Sequence, residues 1–118
     1  MLREYKASIF QALAHPTRIA ILEVVREGEI PARAIQDRLG IEQANLSQHL
    51  AILRSRQIVS SRKEGNHVFY SLRNEMLGKV LDLMREYFEE HLNEAVAMLS
   101  EVRVERGRGE AEAASRLC

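Results

Sequence analysis

The sequence predicts a mainly α-helical fold with a small β-hairpin, and three observations carry that expectation. Apolar residues recur at helical spacing over most of the chain. A short helical stretch, a turn at Gly40 and a second helical stretch follow one another, which is the order of a helix-turn-helix. Two β-type runs joined through Gly65-Asn66 come directly after it, so a hairpin wing is expected beside the helical pair. The expected fold class is therefore a winged helix-turn-helix: four helices, a hairpin wing and a long C-terminal helix, assembled as a dimer.

Each element has a local reason. Leu2, Tyr5, Ile9, Phe10 and Leu13 share one face of a first helix, which ends at Ala14-His15 because Pro16 disfavours a helical residue before it. Pro16 suits the first position of a second helix, about 16–27, with Ile19, Ile21, Leu22 and Val25 inward and a stop at Gly28. Pro31 opens a short third helix through Leu39, with Ile35 and Leu39 inward. A fourth helix is expected from Gln43 to Arg56, then strands at 58–63 and 68–72. Asn74 is placed to cap a final helix of about 75–102, and residues 103–118 read as a flexible tail of small and charged residues. Residues 1–102 are thus expected to form the functional domain.

Composition narrows the class. The chain has 118 residues, 46% hydrophobic and 29% charged, enough for one core. The longest apolar run is five residues, Ala95 to Leu99, so no membrane-spanning helix is expected. The first residues lead into no secretory signal, and the single cysteine, Cys118, demands no oxidising compartment; a cytoplasmic location is expected. Seventeen basic and seventeen acidic residues sum to zero, but unevenly. Residues 1–73 hold 11 basic and 7 acidic side chains, a net of +4, while residues 74–118 hold 6 and 10, a net of −4. A basic front and an acidic final helix suggest two tasks.

The fourth helix suits DNA. Leu46, Leu50 and Leu53 form its inward stripe, with His49 on the flank, read as a partly buried residue bonded to backbone. The opposite face carries Ala44, Gln48, Ala51 and Ser55, with Gln43, Asn45 and Ser47 beside it. Small residues permit close approach to a major groove and amides pair with adenine edges. Gln43, Ser47 and Gln48 are expected to read bases, and Asn45 to bond a phosphate or cap the turn. The alternative, an ordinary solvated face, would more usually carry Glu and Lys. Arg54 closes this helix, Arg33 flanks it, and Arg62, Lys63, Asn66 and His67 lie towards the tip of the hairpin, within reach of a minor groove or phosphate ridge. An edge hairpin guarded by charge is the competing reading.

On the final helix Leu77, Leu81, Met84, Phe88, His91, Ala95, Met98 and Val102 alternate by four and three residues, a heptad seam. A helix of about 40 Å is too long to bury that stripe on one small domain. Pairing with a second copy, aided by Leu2, Tyr5 and Ile9, is the expected solution, with His91 as a register-fixing polar member.

The stretches Leu13-Ala14-His15-Pro16-Thr17-Arg18, Asn45-Leu46-Ser47-Gln48-His49-Leu50-Ala51-Ile52-Leu53-Arg54 and Gly65-Asn66-His67-Val68-Phe69-Tyr70-Ser71-Leu72 resemble the ArsR/SmtB family of bacterial repressors over roughly residues 5–92. That resemblance implies a homodimeric winged-helix repressor that releases its operator when an inducer binds. Many members sense metal through a Cys-x-Cys pair, and the matching positions here are Pro31 and Arg33. Positions matching a second family metal site are Asn74, Met76, Tyr87 and Glu90, a poor set for zinc or nickel. Glu42 stands where many relatives carry Ser.

The expected function is thus sequence-specific binding of double-stranded operator DNA by a homodimeric repressor, with no metal, no cofactor and an inducer the sequence does not name. A rival reading is a protein-interaction module that keeps the winged-helix fold and answers to a partner protein. An enzyme is not expected, since no nucleophile and base, phosphate loop or metal-ligand spacing occurs.

Overall fold

Pro16 organises the first helical corner. The computed structural model describes residues 1–117, with side chains through Gly109. Helix α1 spans Leu2–Leu13 and α2 spans Pro16–Val25. Between them His15 is extended (φ −150°, ψ 128°), as a residue before proline must be, and its Nδ1 accepts a hydrogen bond from the Thr17 N–H at 3.1 Å. The imidazole is therefore the N-cap of α2. This helix buries Ile21, Leu22, Val24 and Val25, while Ile19 is half-buried. It stops short of the expected residue 27, in a turn completed by Gly28 at φ +152°.

The third and fourth helices are α3 (Ala32–Leu39) and α4 (Gln43–Ser55). Gly40 ends α3 in the left-handed region (φ 62°, ψ 37°), with its N–H bonded to the Gln36 carbonyl, which turns the chain sharply into α4. At the other end of α4 the Ile58 N–H reaches the Leu53 carbonyl and the Gln57 N–H the Arg54 carbonyl, both at 3.0 Å. This is a Schellman motif, and its left-handed position is filled by Gln57 (φ 59°) where glycine is usual.

The sheet differs from the expected hairpin. Strands β2 (Val59–Glu64) and β3 (His67–Leu72) pair antiparallel, with Glu64 opposite His67 across the two-residue loop Gly65-Asn66. Gly65 has φ +61° and Asn66 a negative φ, the signature of a II′ turn. A third strand, β1 (Ile30–Pro31), pairs with β3 through Ile30–Tyr70 and Pro31–Phe69, giving the order β1-β3-β2. Pro31 therefore ends a strand and caps α3, which begins at Ala32. Two residues are too few to show alternation, and Pro31, lacking an N–H, is tolerated because β1 is an edge strand.

Helix α2 packs against α1, α3, α4 and β3, and α4 packs against β2. The core gathers where these meet: Ile21, Leu22, Val25, Ile35, Leu46, Leu50, Leu53, Ile58 and Val59 are all buried. The chain divides into two compact units, one from Met1 to Lys79 and one from Val80 onward. Helix α5 (Met76–Leu117) begins where the Asn74 side chain accepts from the Met76 N–H at 2.9 Å. It continues past Val102, where the seam ended it, through residues expected as a tail. Strong helix formers after Val102, among them Glu105, Arg106 and the run Glu110-Ala111-Glu112-Ala113-Ala114, outweigh Gly107 and Gly109. Cys118 lies outside the described residues. Among them, no helix is long and apolar enough to cross a membrane.

Candidate nucleic-acid interface

Helix α4 has two unlike faces. Leu46, Leu50 and Leu53 are 2%, 3% and 0% exposed, and they fasten the helix to the core. Gln43, Ala44, Asn45, Ser47, Gln48, Ala51, Arg54 and Ser55 are all exposed, so every residue proposed to read or approach DNA from this helix faces solvent. Their spacing follows from the 3.6-residue turn, which sets Ala44, Ser47, Gln48, Ala51 and Ser55 opposite the leucine stripe. Glu42, just before the helix, is exposed and makes no side-chain capping bond.

Three side chains hold α4 at the α1–α2 corner. Arg18 donates from Nε to the Ala12 carbonyl at 2.5 Å and from Nη2 to the Gln11 carbonyl at 3.3 Å, satisfying the open end of α1. Its Nη1 lies 3.3 Å from His49 Nδ1 on α4. Arginine has only donors, so Nδ1 is the acceptor and the His49 proton sits on Nε2. The His15 and His49 rings lie 4.5 Å apart between centroids. Burial, reinforced by His15 and Arg18, holds the His49 pKa below its ordinary value. The expected backbone bond of His49 is thus a side-chain bond to Arg18. Two of the three family-like stretches, the one ending in Arg18 and the one containing His49, meet here in space. The signal available in the sequence is a residue before proline that can cap, followed one turn later by an arginine.

The wing is similarly constrained. Arg62 donates to both carboxylate oxygens of Glu29, at 2.6 and 3.3 Å, and to Glu64 at 2.6 Å. Its guanidinium carbon stands 4.8 Å from the centre of the Phe69 ring. The hydrogen bond from Arg62 holds the Glu29 carboxyl below its ordinary pKa, and the two carboxylates raise that of Arg62. Lys63, Asn66 and His67 are exposed, and Lys63 makes no ion pair among the described residues. Arg33 is exposed on α3, whereas Arg38 pairs with Glu27 at 3.1 Å. Nothing in the sequence linked Glu29 to Arg62, because the pairing depends on how β1 joins the sheet.

The proposed dimer residues stay accessible in the single chain. On α1, Leu2 and Tyr5 are exposed and Ile9 is half-buried. On α5, Leu77, Leu81, Met84 and Ala95 are half-buried, and Phe88, His91 and Met98 are exposed, Met98 by 69%. Tyr87 stacks parallel on His91, with ring centroids 6.3 Å apart. Among the described residues no three His, Cys, Asp or Glu side chains group closely enough to hold a metal ion.

The helix-turn-helix domain family matches residues 13–62. The HTH-type transcriptional regulator Rv0081 of Mycobacterium tuberculosis is 35% identical over 103 residues, covering 86% of this chain and 90% of the relative. Its crystal structure superposes with a TM-score of 0.76 at 34% identity, over 80% of this chain and 96% of that one. The solution structure of Mb0332 from Mycobacterium bovis gives 0.72 at 30% identity, over 77% and 84%. That protein is described as a homodimeric winged helix-turn-helix DNA-binding domain and a possible ArsR-family transcriptional regulator. The transcriptional repressor SdpR of Bacillus subtilis is 28% identical over 87 residues, 74% of this chain and 97% of the relative. Together with the two-faced α4 and the adjoining sheet, these likenesses define a winged helix-turn-helix DNA-binding protein. The chain belongs to the ArsR/SmtB family of transcriptional regulators.

Proposed function

We propose that the protein is a homodimeric repressor that binds a palindromic operator, with residues 1–102 supplying both DNA binding and dimer contacts. The observation that carries this reading is α4: a solvent-facing row of amide, hydroxyl and small side chains over a stripe of fully buried leucines. Such a helix can enter a major groove closely, with Gln43, Ser47 and Gln48 against base edges and Asn45 and Arg54 towards the backbone. Lys63, Asn66 and His67 on the wing, and Arg33 on its flank, are the matching candidates for phosphate or minor-groove contact.

The dimer rests on apolar surface that one chain leaves open, notably Phe88 and Met98 on α5 with Leu2 and Tyr5 on α1. Two copies related by a two-fold axis would present two α4 helices to successive major grooves, about 34 Å apart. The inducer is not a metal held at the family's usual positions, since Pro31 and Arg33 replace the thiolate pair. Repression and a cytoplasmic location follow from the same reading.

Selection of duplexes from a random pool, followed by binding titrations at several salt concentrations, tests it. The expected result is a palindromic consensus bound far more tightly than random DNA, with strongly salt-dependent affinity. Equal affinity for consensus and random duplexes at low salt would defeat the proposal. A reporter gene placed behind the consensus separates repression from activation, and sedimentation at micromolar concentration tests the dimer.

A further inference from the structure

We propose that Arg62 is a positioning residue of the wing, acting on DNA binding through Glu29 and making no phosphate contact of its own. Glu29 immediately precedes β1, whose pairing with β3 is only two residues long. Arg62 lies on β2, on the other side of β3, directly opposite Phe69. Pro31, Phe69 and Arg62 thus form one rung across the sheet, and the Arg62 side chain crosses the Phe69 ring to grip both oxygens of Glu29. It straps the outer strand of the wing to the far strand over the middle one.

The third nitrogen of the guanidinium is also engaged, because Glu64, two residues on and on the same face, takes Nη1. A phosphate approaching Arg62 would meet two carboxylates already bonded to its three nitrogens, each of which would repel it. Lys63, on the opposite face of β2 by strand alternation, carries no such partners and is the better phosphate cation. Arg62 therefore sets the pitch of the hairpin that carries Lys63, Asn66 and His67. This inference rests on the DNA-binding reading above.

The test uses the full chain and the selected operator duplex, titrated at several salt concentrations, with Glu29→Gln, Arg62→Ala, Lys63→Ala and the exchange Glu29→Arg/Arg62→Glu. Glu29→Gln and Arg62→Ala are expected to weaken binding alike, by about two- to five-fold, the range an exposed ion pair is worth. Neither should change the slope of log affinity against log salt. Lys63→Ala should lower that slope by about one. The exchange should recover most of the affinity lost by either single variant. In the protein without DNA, NMR relaxation of the amides at 63–67 should show the wing loosened by each single change and tightened again by the exchange.

The proposal is overturned if Arg62→Ala lowers the salt slope by about one while Glu29→Gln tightens binding. That pattern would make Arg62 a phosphate contact held back by Glu29. It is equally overturned if the exchange restores neither affinity nor the rigidity of the wing. A wild-type chain with no preference for any duplex would instead remove the DNA-binding reading, and the relaxation data would still decide whether the strap holds the wing.

Discussion

Replacing Gln48 with Ala, and separately Leu53 with Ala, sets the two faces of α4 against each other. Gln48 is exposed and has no hydrogen bond to a neighbouring element among the described residues, so its removal should change folding stability by no more than about 0.5 kcal/mol. If its amide pairs with an adenine edge, each half-site loses about 1–3 kcal/mol of discrimination, roughly 5- to 150-fold in affinity. Leu53 is 0% exposed beneath that face, and truncation there removes three buried carbons and leaves a void, at a cost of about 2–5 kcal/mol. That is a large share of the roughly 5–15 kcal/mol that holds a domain of this size together. Urea unfolding gives the first quantity, and fluorescence anisotropy with operator and random duplexes gives the second. Gln48→Ala should leave the urea midpoint and the random-duplex affinity unchanged, weaken operator binding, and leave the salt slope intact. Leu53→Ala should shift the midpoint heavily and affect operator and random DNA alike, through the fraction folded. Should Gln48→Ala weaken both duplexes equally and reduce the salt slope by about one, the residue is a phosphate contact. Unchanged operator affinity would mean that α4 does not present this side chain to bases at all.

Further expectations concern the fold around that helix. The His49 pKa lies below its ordinary 6.5 because burial and the neighbouring His15 and Arg18 disfavour its charged form, so the unfolded chain binds its proton first. The stability from neutral His49 is complete above pH 6.5 and is lost as pH falls from there through the folded value. Urea midpoints between pH 5 and 8 should fall on acidification less steeply in His49→Gln than in wild type, and parallel curves would contradict the assignment. Gln57 holds a left-handed conformation that favours glycine, so Gln57→Gly should stabilise the domain by about 0.5–1 kcal/mol after the added freedom of the unfolded chain is set against the relieved strain. A lower urea midpoint would show that the Gln57 side chain supplies more than its backbone costs. Gly107 lies within α5 with open space around its Cα, so Gly107→Ala should favour the helical state by about 0.8–1 kcal/mol. Slower amide exchange at 103–109 would register the gain, and unchanged exchange would argue that the segment is not helical in solution.

Much of this fold is written in short-range chemistry. Pro16 and Gly40 set helix boundaries because each restricts or permits a particular φ, a property of one residue and its neighbours. The leucine stripe of α4 and the amide face opposite it follow from helical periodicity alone, so the two-faced character of this helix was legible in the sequence. Gly65-Asn66 identified the hairpin through turn chemistry, since glycine accepts the positive φ that a two-residue loop requires.

Only the tertiary structure decided the rest. Strand β1 is two residues long and carries no pattern, so its place at the edge of the sheet depends on β3 being there to pair with it. The grip of Arg62 on Glu29 spans 33 residues, and that of Arg18 on His49 spans 31. Each depends on side chains from separate elements arriving within about 3 Å. A basic residue read along the chain is a free charge available to DNA. In the fold Lys63 stays unpaired among the described residues, Arg62 is locked against two carboxylates, and Arg18 is turned to the end of one helix and the flank of another. The sequence by itself determined which surfaces carry the small, amide and basic side chains proposed to meet a nucleic acid. Which of its cations remain available for that meeting was settled by packing, because an ion pair forms wherever the chain brings the two charges together.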